Sequence, residues 1–169
     1  QDWFEKWSKD NQVGFVAPHP YENAVELGFE SDAHPSAKDA VILASGRGDL
    51  VLPVGIAPPA PGEAVLTASL AEALGVGVGG VVRLNAFRPD PDRYSKLPLK
   101  VTGITPRSKW ASDGALVNRE VVVEAWNWRR GYSSRLFGLE GEAMAGPESF
   151  PRFRMYAKRL SALQPLAER

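Results

Sequence analysis

The sequence predicts an α+β fold, and three kinds of pattern lead to that prediction. Short runs with apolar residues at every second position, bounded by Gly or Pro, are typical of half-buried strands. Short segments with apolar residues three and four positions apart, between capping residues and Gly, are typical of helices. A proline-rich connector at 57–62 separates the elements predicted before it from those predicted after it. Proline cannot donate a ladder hydrogen bond, so this segment is not expected to continue a strand.

The first 54 residues are predicted to form one helix followed by strands. Residues 2–9 place Trp3, Phe4 and Trp7 on one helical face. The expected strands are 12–18, 24–29 with Val25, Leu27 and Phe29 inward, 39–44 and 50–54. A turn is expected at 45–49, where glycines flank Arg47.

The stretch Ala64–Leu84 has the clearest pattern in the chain. A strand at its start is followed by Thr67 as a helix N-cap, while Ser69 and Glu72 form an alternative capping box. Gly75 is expected to end this helix. The buried stripe of the helix is predicted to be Leu70, Ala71 and Leu74. The next strand is predicted at 81–84.

The second half of the chain is predicted to begin with a charged hairpin tip at 88–96. Its returning strand is expected at 97–105, a short strand at 115–117 and a helix at 119–130. The buried face of that helix is predicted to be Val122, Val123 and Trp126. The last elements are a strand at 152–157 with Phe153, Met155 and Ala157 inward, and a helix begun by Ser161 with Leu163 and Leu166 in the core.

Composition excludes several functional classes. The chain has 20 basic and 20 acidic side chains, which argues against a general nucleic-acid binder. The charges are not evenly spread, because residues 1–85 hold 5 basic and 11 acidic groups and residues 86–169 hold 15 and 9. The absence of cysteine excludes disulfides, thiolate metal sites and a cysteine nucleophile.

Motifs of catalysis or cofactor binding are not evident. Gly75, Gly77 and Gly80 spell GxGxxG, but this motif follows a predicted helix and opens a strand, the reverse of a dinucleotide site. It is interpreted as a turn. His19 and His34 precede prolines and are interpreted as solvated loop residues.

Two further motifs have competing interpretations. Arg47–Asp49 matches an integrin-binding tripeptide, so an adhesion module is one alternative and a simple turn the other. A cluster of cationic and aromatic residues predicts a core tryptophan beside a rim tryptophan, a protein contact, or stacking on single-stranded nucleic acid. Its members are Trp126, Trp128, Arg129, Arg130, Tyr132 and Arg135.

Two segments resemble one known family. The segment AVLTASLAEALGVGVGGVVRL, followed by PLKVTGI, is similar to the central part of the extracytoplasmic domain of MacB-type ABC transporter permeases, also called FtsX-like permeases. The segment FPRFRMYAKRLSALQPLAER resembles the region just before their second transmembrane helix. The two similar regions cover residues 64–106 and 148–169.

The resemblance implies two lobes. A porter-like α+β lobe would consist of residues 1–45 and 137–169, and a mainly β lobe, called Sabre in the family, would be inserted as residues 46–136. The charges then divide into 8 basic and 12 acidic groups for the porter-like lobe and 12 and 8 for the inserted lobe. A positive inserted lobe suits an acidic partner.

The resemblance also implies a mechanical function with no chemistry or cofactor in this domain. The expected location is the periplasmic face of the bacterial inner membrane, and the expected partners are a cytoplasmic ATPase subunit or domain, a second permease copy or paralogue, and a periplasmic adaptor or lipoprotein carrier. The domain would transmit the ATP-driven motion of the transmembrane helices to the periplasm, where this motion would drive efflux or export. The predicted partner contacts are Arg93, Tyr94, Trp110, Trp128 and Arg129.

A different functional class remains open beside this one. A freestanding small enzyme containing a β-barrel would use a pocket at the glycine-rich turn. The chain starts at Gln1 and has no apolar run of about 18 residues. It is therefore expected to be a soluble segment of a longer protein, or a mature secreted one.

Overall fold

The structure is an α+β fold, as the sequence predicts, in which six strands close into a barrel and two others form a separate ribbon. The computed structural model describes residues 3–19, 26–89, 92–138, 140–142 and 152–167. Val25 and the centre of the 88–96 hairpin tip lie outside these ranges. None of the helices in the described part of the chain has the length and apolar composition that a bilayer crossing requires.

The elements match most of the predicted ones in position and type. In chain order they are α1 (Trp3–Ser8), β1 (Val13–His19), β2 (Glu26–Glu30), β3 (Lys38–Ala44), β4 (Glu63–Thr67), α2 (Ala68–Leu74), β5 (Val81–Pro89), β6 (Asp92–Thr105), β7 (Gly114–Val117), α3 (Arg119–Arg130), β8 (Arg152–Ala157), a 3₁₀ turn (Leu160–Ala162) and α4 (Leu163–Ala167).

The barrel has the strand order β2-β3-β7-β4-β6-β5, and the pairing of β2 with β5 closes it. Two of its neighbouring pairs, β3 with β7 and β4 with β6, run parallel. Alternate side chains along each strand point into one apolar core that includes Phe29, Ile42, Leu66, Leu84 and Val101. Among the described residues, each barrel strand therefore pairs with a neighbour on both sides.

The segment from β4 to β5 folds as the sequence predicts. Thr67 is the N-cap of α2, and its Oγ1 accepts a hydrogen bond from the N–H of Leu70. The alternative start at Ser69 is wrong, because the helix already begins at Ala68. Gly75 ends α2 with φ of 60°, a left-handed conformation that glycine adopts without steric cost.

The strand predicted at 50–54 is wrong, because this segment consists of turns. The backbone N–H of Leu52 donates to the carbonyl of Asp49, and the N–H of Ile56 donates to that of Pro53. Leu52 and Ile56 then pack on outward-facing residues of the barrel, including Leu116. The segment therefore covers one outer face of the barrel instead of joining its ladder.

Three predicted orientations also need correction. In α3 the buried tryptophan is Trp128, and Trp126 is only half-buried, because the core face also takes in Val121 and Ala125. In β8, Phe153 is exposed. Leu163 is exposed as well, whereas Leu166 is buried as predicted.

The two ends of the described chain form one structural unit. Strands β1 and β8 pair antiparallel, with Val13 opposite Ala157 and Ala17 opposite Arg154. We call these two strands the terminal ribbon. Helices α1 and α4 pack on one face of it in a small core of Trp7, Val13, Ala162 and Leu166.

The barrel takes strands from both sides of the predicted boundary between residues 45 and 46. Strands β2 and β3 precede this boundary, and β4 to β7 follow it. The structural division lies between the terminal ribbon and the barrel. The ribbon also contacts the barrel core, because Phe15 and Ala17 are buried within the main apolar cluster.

Candidate functional site

The contact between the terminal ribbon and the barrel contains an ion pair that is almost wholly buried. The guanidinium of Arg154 on β8 binds the carboxylate of Asp49, which follows the end of β3. Their side chains are 13% and 0% exposed, respectively. We call Asp49, Arg154 and the two aromatic residues beside them, Phe15 and Tyr156, the ribbon–barrel joint.

Arg154 uses both terminal nitrogens in this joint. Nη2 donates to Oδ2 of Asp49 at 2.7 Å and to the carbonyl of Ala44 at 2.9 Å. Nη1 donates to Oδ1 of Asp49 at 3.2 Å and to the hydroxyl of Tyr156 at 3.1 Å. A two-pronged arginine–carboxylate pair fixes both distance and orientation, so it holds the ribbon in one position on the barrel.

Aromatic rings enclose the guanidinium. The rings of Phe15 and Tyr156 are stacked with centroids 5.5 Å apart, and the guanidinium carbon of Arg154 lies 5.0 Å from the first and 5.7 Å from the second. These residues meet because β1 and β8 place Phe15 opposite Tyr156 in the ribbon. The rings exclude water from the ion pair and add cation–π attraction.

The turn after β3 orients Asp49 toward the ribbon. Its carboxylate also accepts hydrogen bonds from the hydroxyl of Ser45 at 2.7 Å and the N–H of Val51 at 3.0 Å. Gly48 has φ of 89°, and a Cβ there would lie 2.4 Å from the carbonyl oxygen of Gly14. Glycine is therefore required for this turn to approach strand β1 so closely.

The same turn contains the Arg47–Asp49 tripeptide, and its geometry makes the adhesion alternative wrong. An adhesion motif must present its aspartate to a partner, but Asp49 is buried against Arg154. Arg47 is exposed and borders a cavity of about 260 Å³ between β1 and the end of β3. The tripeptide thus forms part of the joint.

A second buried carboxylate stabilises the seam that closes the barrel. Glu30 at the end of β2 accepts hydrogen bonds from Lys96 at 2.8 Å, Asn85 at 2.9 Å and Arg83 at 2.8 Å. These donors, led by Lys96, lower the pKa of Glu30 from 4.5 to about 2. Alternation with the inward Leu27 and Phe29 points Glu30 out of the barrel, where these donors from β5 and β6 bury it.

Two of the predicted contact residues, Tyr94 and Trp128, differ sharply in exposure. Tyr94 on β6 is 70% exposed, and the neighbouring Ser95 donates to the carbonyl of Phe137 at 2.8 Å. Phe137 packs against Trp128, with ring centroids 6.0 Å apart. Because Trp128 is 3% exposed, its indole has almost no surface to offer a partner and instead supports the hairpin.

Arg129, which follows Trp128 in α3, is exposed, whereas Trp110 lies on the outer face of the barrel. The indole of Trp110 covers Gly114, where an added Cβ would lie 2.2 Å from the ring, and it packs with Leu52 on the outer face of the barrel. Trp110 therefore has a structural role in this fold. The side chain of Arg93 lies outside the described residues.

The end of α3 carries an exposed cationic and aromatic surface. The guanidinium of Arg130 lies 5.6 Å from the ring centroids of both Trp126 and Tyr132. Among the described residues, no carboxylate forms an ion pair with Arg130, whereas Arg135 binds Glu120. We call Trp126, Arg129, Arg130 and Tyr132 the α3 patch.

The other motifs stay separate from these sites. The glycine-rich turn follows α2 and precedes β5, and beside it lies an open depression of about 310 Å³ lined by Glu72, Gly75 and Ile104 among others. His34 is exposed in a loop next to Gly75. Within the described ranges, no three His, Asp or Glu side chains are grouped closely enough to hold a metal ion.

Sequence reasoning missed the residues that carry these networks. The alternation of the strand at 152–157 predicts Arg154 on its outer face, and the pattern around Asp49 predicts only a turn or an adhesion tripeptide. A signal was available, because Arg154 lies between aromatic residues at 153 and 156 in a strand. Its partner could not be identified, since 105 positions separate the two residues.

Compared with known proteins, the chain matches no protein-family model and no curated relative.

Replacing Arg154 by methionine should destabilise the protein by about 3 kcal/mol, because it leaves the buried Asp49 carboxylate without its cation. The matched control is Arg107→Met, which removes an exposed ion pair to Glu72 and should cost less than about 1 kcal/mol. Urea unfolding measures both changes. Equal losses for the two variants would contradict the role given to the joint.

The Glu30 network predicts a specific pH dependence. A carboxylate whose folded-state pKa is lowered to about 2 contributes stability above its ordinary value of 4.5, and that contribution is lost as the pH falls from 4.5 toward 2. Wild-type stability should therefore fall through this range more steeply than that of Glu30→Gln. Parallel pH profiles of unfolding free energy would refute the prediction.

Proposed function

We propose that this chain is the periplasmic domain of an ABC transporter permease of the MacB or FtsX-like type. In this role it transmits the motion of transmembrane helices, driven by a cytoplasmic ATPase subunit or domain, to the periplasm. The permease acts with a second copy or a paralogue. The transmitted motion serves efflux or the export of a lipoprotein or peptide, and the domain needs no chemistry of its own.

The arrangement of the two chain ends is the observation that carries this proposal. A domain placed between two membrane helices must receive and return its chain at the same end. In this structure β1 and β8 pair directly, and α1 and α4 share one small core beside them. Two membrane helices attached here would act on one unit, the terminal ribbon.

The joint supports the transmission of that motion. A displacement of the ribbon reaches the barrel through the bidentate ion pair of Arg154 and Asp49, backed by the hydrogen bond to Ala44. Packed elements with buried, directional contacts move together as rigid bodies more readily than elements joined by a loose linker. The barrel, with its closed ladder, then carries the displacement to its far surfaces without deforming.

The α3 patch supports docking of an acidic partner, either an adaptor or a lipoprotein carrier. Its guanidinium groups lie at the carboxyl end of α3, where the helix dipole favours positive charge. The guanidinium of Arg130 lies within cation–π range of two rings, and an arginine in this setting can still bind a carboxylate of a partner. Tyr94 presents an exposed aromatic ring on the hairpin that packs beside this helix.

The transport function can be tested in the full-length protein with Asp49→Ala. We expect export to fall at least fivefold while basal ATP hydrolysis is unchanged, because the ribbon no longer moves the barrel. Glu72→Ala, which breaks an exposed ion pair between α2 and the loop after β6, is the matched control and should retain export. Loss of both activities at normal protein levels, or no effect on either, would reject the proposal.

Docking can be tested by placing a photoreactive amino acid at Tyr94 or Arg129 in cells. We expect both positions to crosslink to the same periplasmic protein, and Arg130→Glu to reduce the yield from each at least fivefold by charge repulsion. Lys100, exposed on the barrel strand β6, is the control position and should not yield this product. An equal yield from Lys100 would refute docking at the α3 patch.

A further inference from the structure

The last helical segment of the described chain leaves two leucines in solvent. Leu160 is 87% exposed and Leu163 is 52% exposed, whereas Ala162 and Leu166 face the small core of the terminal ribbon. Leu160 and Leu163 are three positions apart on consecutive helical turns, so they project from the same side. The segment is thus amphipathic, with an apolar edge that the described residues leave uncovered.

Cations surround this apolar edge. Lys158 and Arg159 immediately precede Leu160, and both are exposed. Neither forms an ion pair with a described carboxylate, while the nearby Lys9 is already bound to Glu5. The two cations also border a polar depression with about 520 Å³ of space, lined by Gln12 and Ser161 among others.

The backbone holds these groups in place. The N–H of Lys158 donates to the carbonyl of Gln12 at 2.8 Å, which fixes the start of the segment on the loop before β1. The N–H of Ala162 donates to the carbonyl of Arg159 at 3.0 Å and closes the following turn. On the adjacent α1, Lys6 lies 4.8 Å from the ring centroid of Trp7 and adds a third exposed cation.

We propose that this basic and apolar edge, formed by Lys158, Arg159, Leu160 and Leu163, rests on the surface of an anionic lipid bilayer. Amphipathic segments that bind membranes combine apolar side chains with cations. The apolar side chains enter the headgroup region, and the cations bind anionic lipids, so both contribute to the affinity. A bilayer surface offers anionic headgroups to the cations and an apolar interior to the leucines, which are the two chemistries that this edge presents. Charge complementarity therefore favours phospholipid headgroups, with the polar depression beside Lys158 as the site for a phosphate.

The inference goes beyond the proposed function, which requires no lipid contact by this domain. Lipid contact at the terminal ribbon would fix the domain's tilt relative to the membrane. It would also make this tilt sensitive to the anionic lipid content. Failure of lipid binding would leave the transport and crosslinking tests unaffected, so the two proposals can be rejected separately.

Vesicle flotation of the 169-residue chain tests the proposal. We expect binding to vesicles of phosphatidylcholine and phosphatidylglycerol in a ratio of three to one. Binding to phosphatidylcholine alone should be at least tenfold weaker. Raising the salt from about 0.1 M to 1 M should weaken binding to the anionic vesicles, because it shortens the screening length from about 10 Å to about 3 Å.

Paired variants separate the specific edge from a general surface effect. Leu160→Ser with Leu163→Ser should reduce binding about tenfold or more, while the exposed apolar pair Leu50→Ser with Val54→Ser should not. Lys158→Gln with Arg159→Gln should reduce vesicle binding roughly 30-fold. The control pair Arg47→Gln with Lys100→Gln, which removes two exposed cations elsewhere, should reduce vesicle binding much less. Because every substituted side chain is exposed, the variants should keep the wild-type melting temperature.

Three outcomes would overturn the proposal. The first is absence of binding to anionic vesicles, and the second is an equal loss from the test and control pairs. The third is self-association in sedimentation that Leu160→Ser with Leu163→Ser abolishes, without vesicle binding by the wild type. This last result would assign the edge to a second copy of the chain.

Discussion

The ion pair between Arg154 and Asp49 is the interaction on which the relation between the terminal ribbon and the barrel depends. Both groups are removed from water, so each would be strongly destabilising without the other. Hydrogen bonds from Ser45 and Val51 to Asp49, and from Arg154 to Ala44, satisfy the remaining polar atoms. The geometry is therefore fixed from both sides, and the ribbon cannot slide along the barrel without breaking several buried contacts together.

The barrel provides the rigid body to which this interaction attaches. Its seam between β2 and β5 is reinforced by Glu30, whose carboxylate binds side chains from both β5 and β6. The turns at residues 50–56 cover the outer face near β3, β4 and β7. The protein thus combines a closed barrel with two buried polar networks, one around Glu30 at the barrel seam and one around Asp49 and Arg154 at the ribbon. Such a structure suits the passage of a displacement from one end to the other.

Local structure was predictable from the sequence wherever short-range rules decide it. Thr67 and Gly75 cap a seven-residue helix as expected, and the alternation in β3 matches its burial. The prediction of a strand at 50–54 is wrong because the segment turns so that Leu52 packs on the outside of the barrel, which only tertiary packing decides. Trp128 replaced Trp126 in the core because Phe137, from the loop after α3, provides its neighbour. The pairing in the joint could not be predicted, because it joins two charged residues that are distant in sequence and requires the completed barrel.

Rigid coupling of the ribbon to the barrel is the central claim, and an electron-spin distance measurement tests it most directly. The chain has no cysteine, so Asn11→Cys near the ribbon and Lys100→Cys on the barrel can be spin-labelled without background. In the 169-residue chain we expect one narrow distance distribution. The distribution should broaden when Arg154→Met is added. Two resolved populations in the otherwise wild-type chain would contradict rigid coupling.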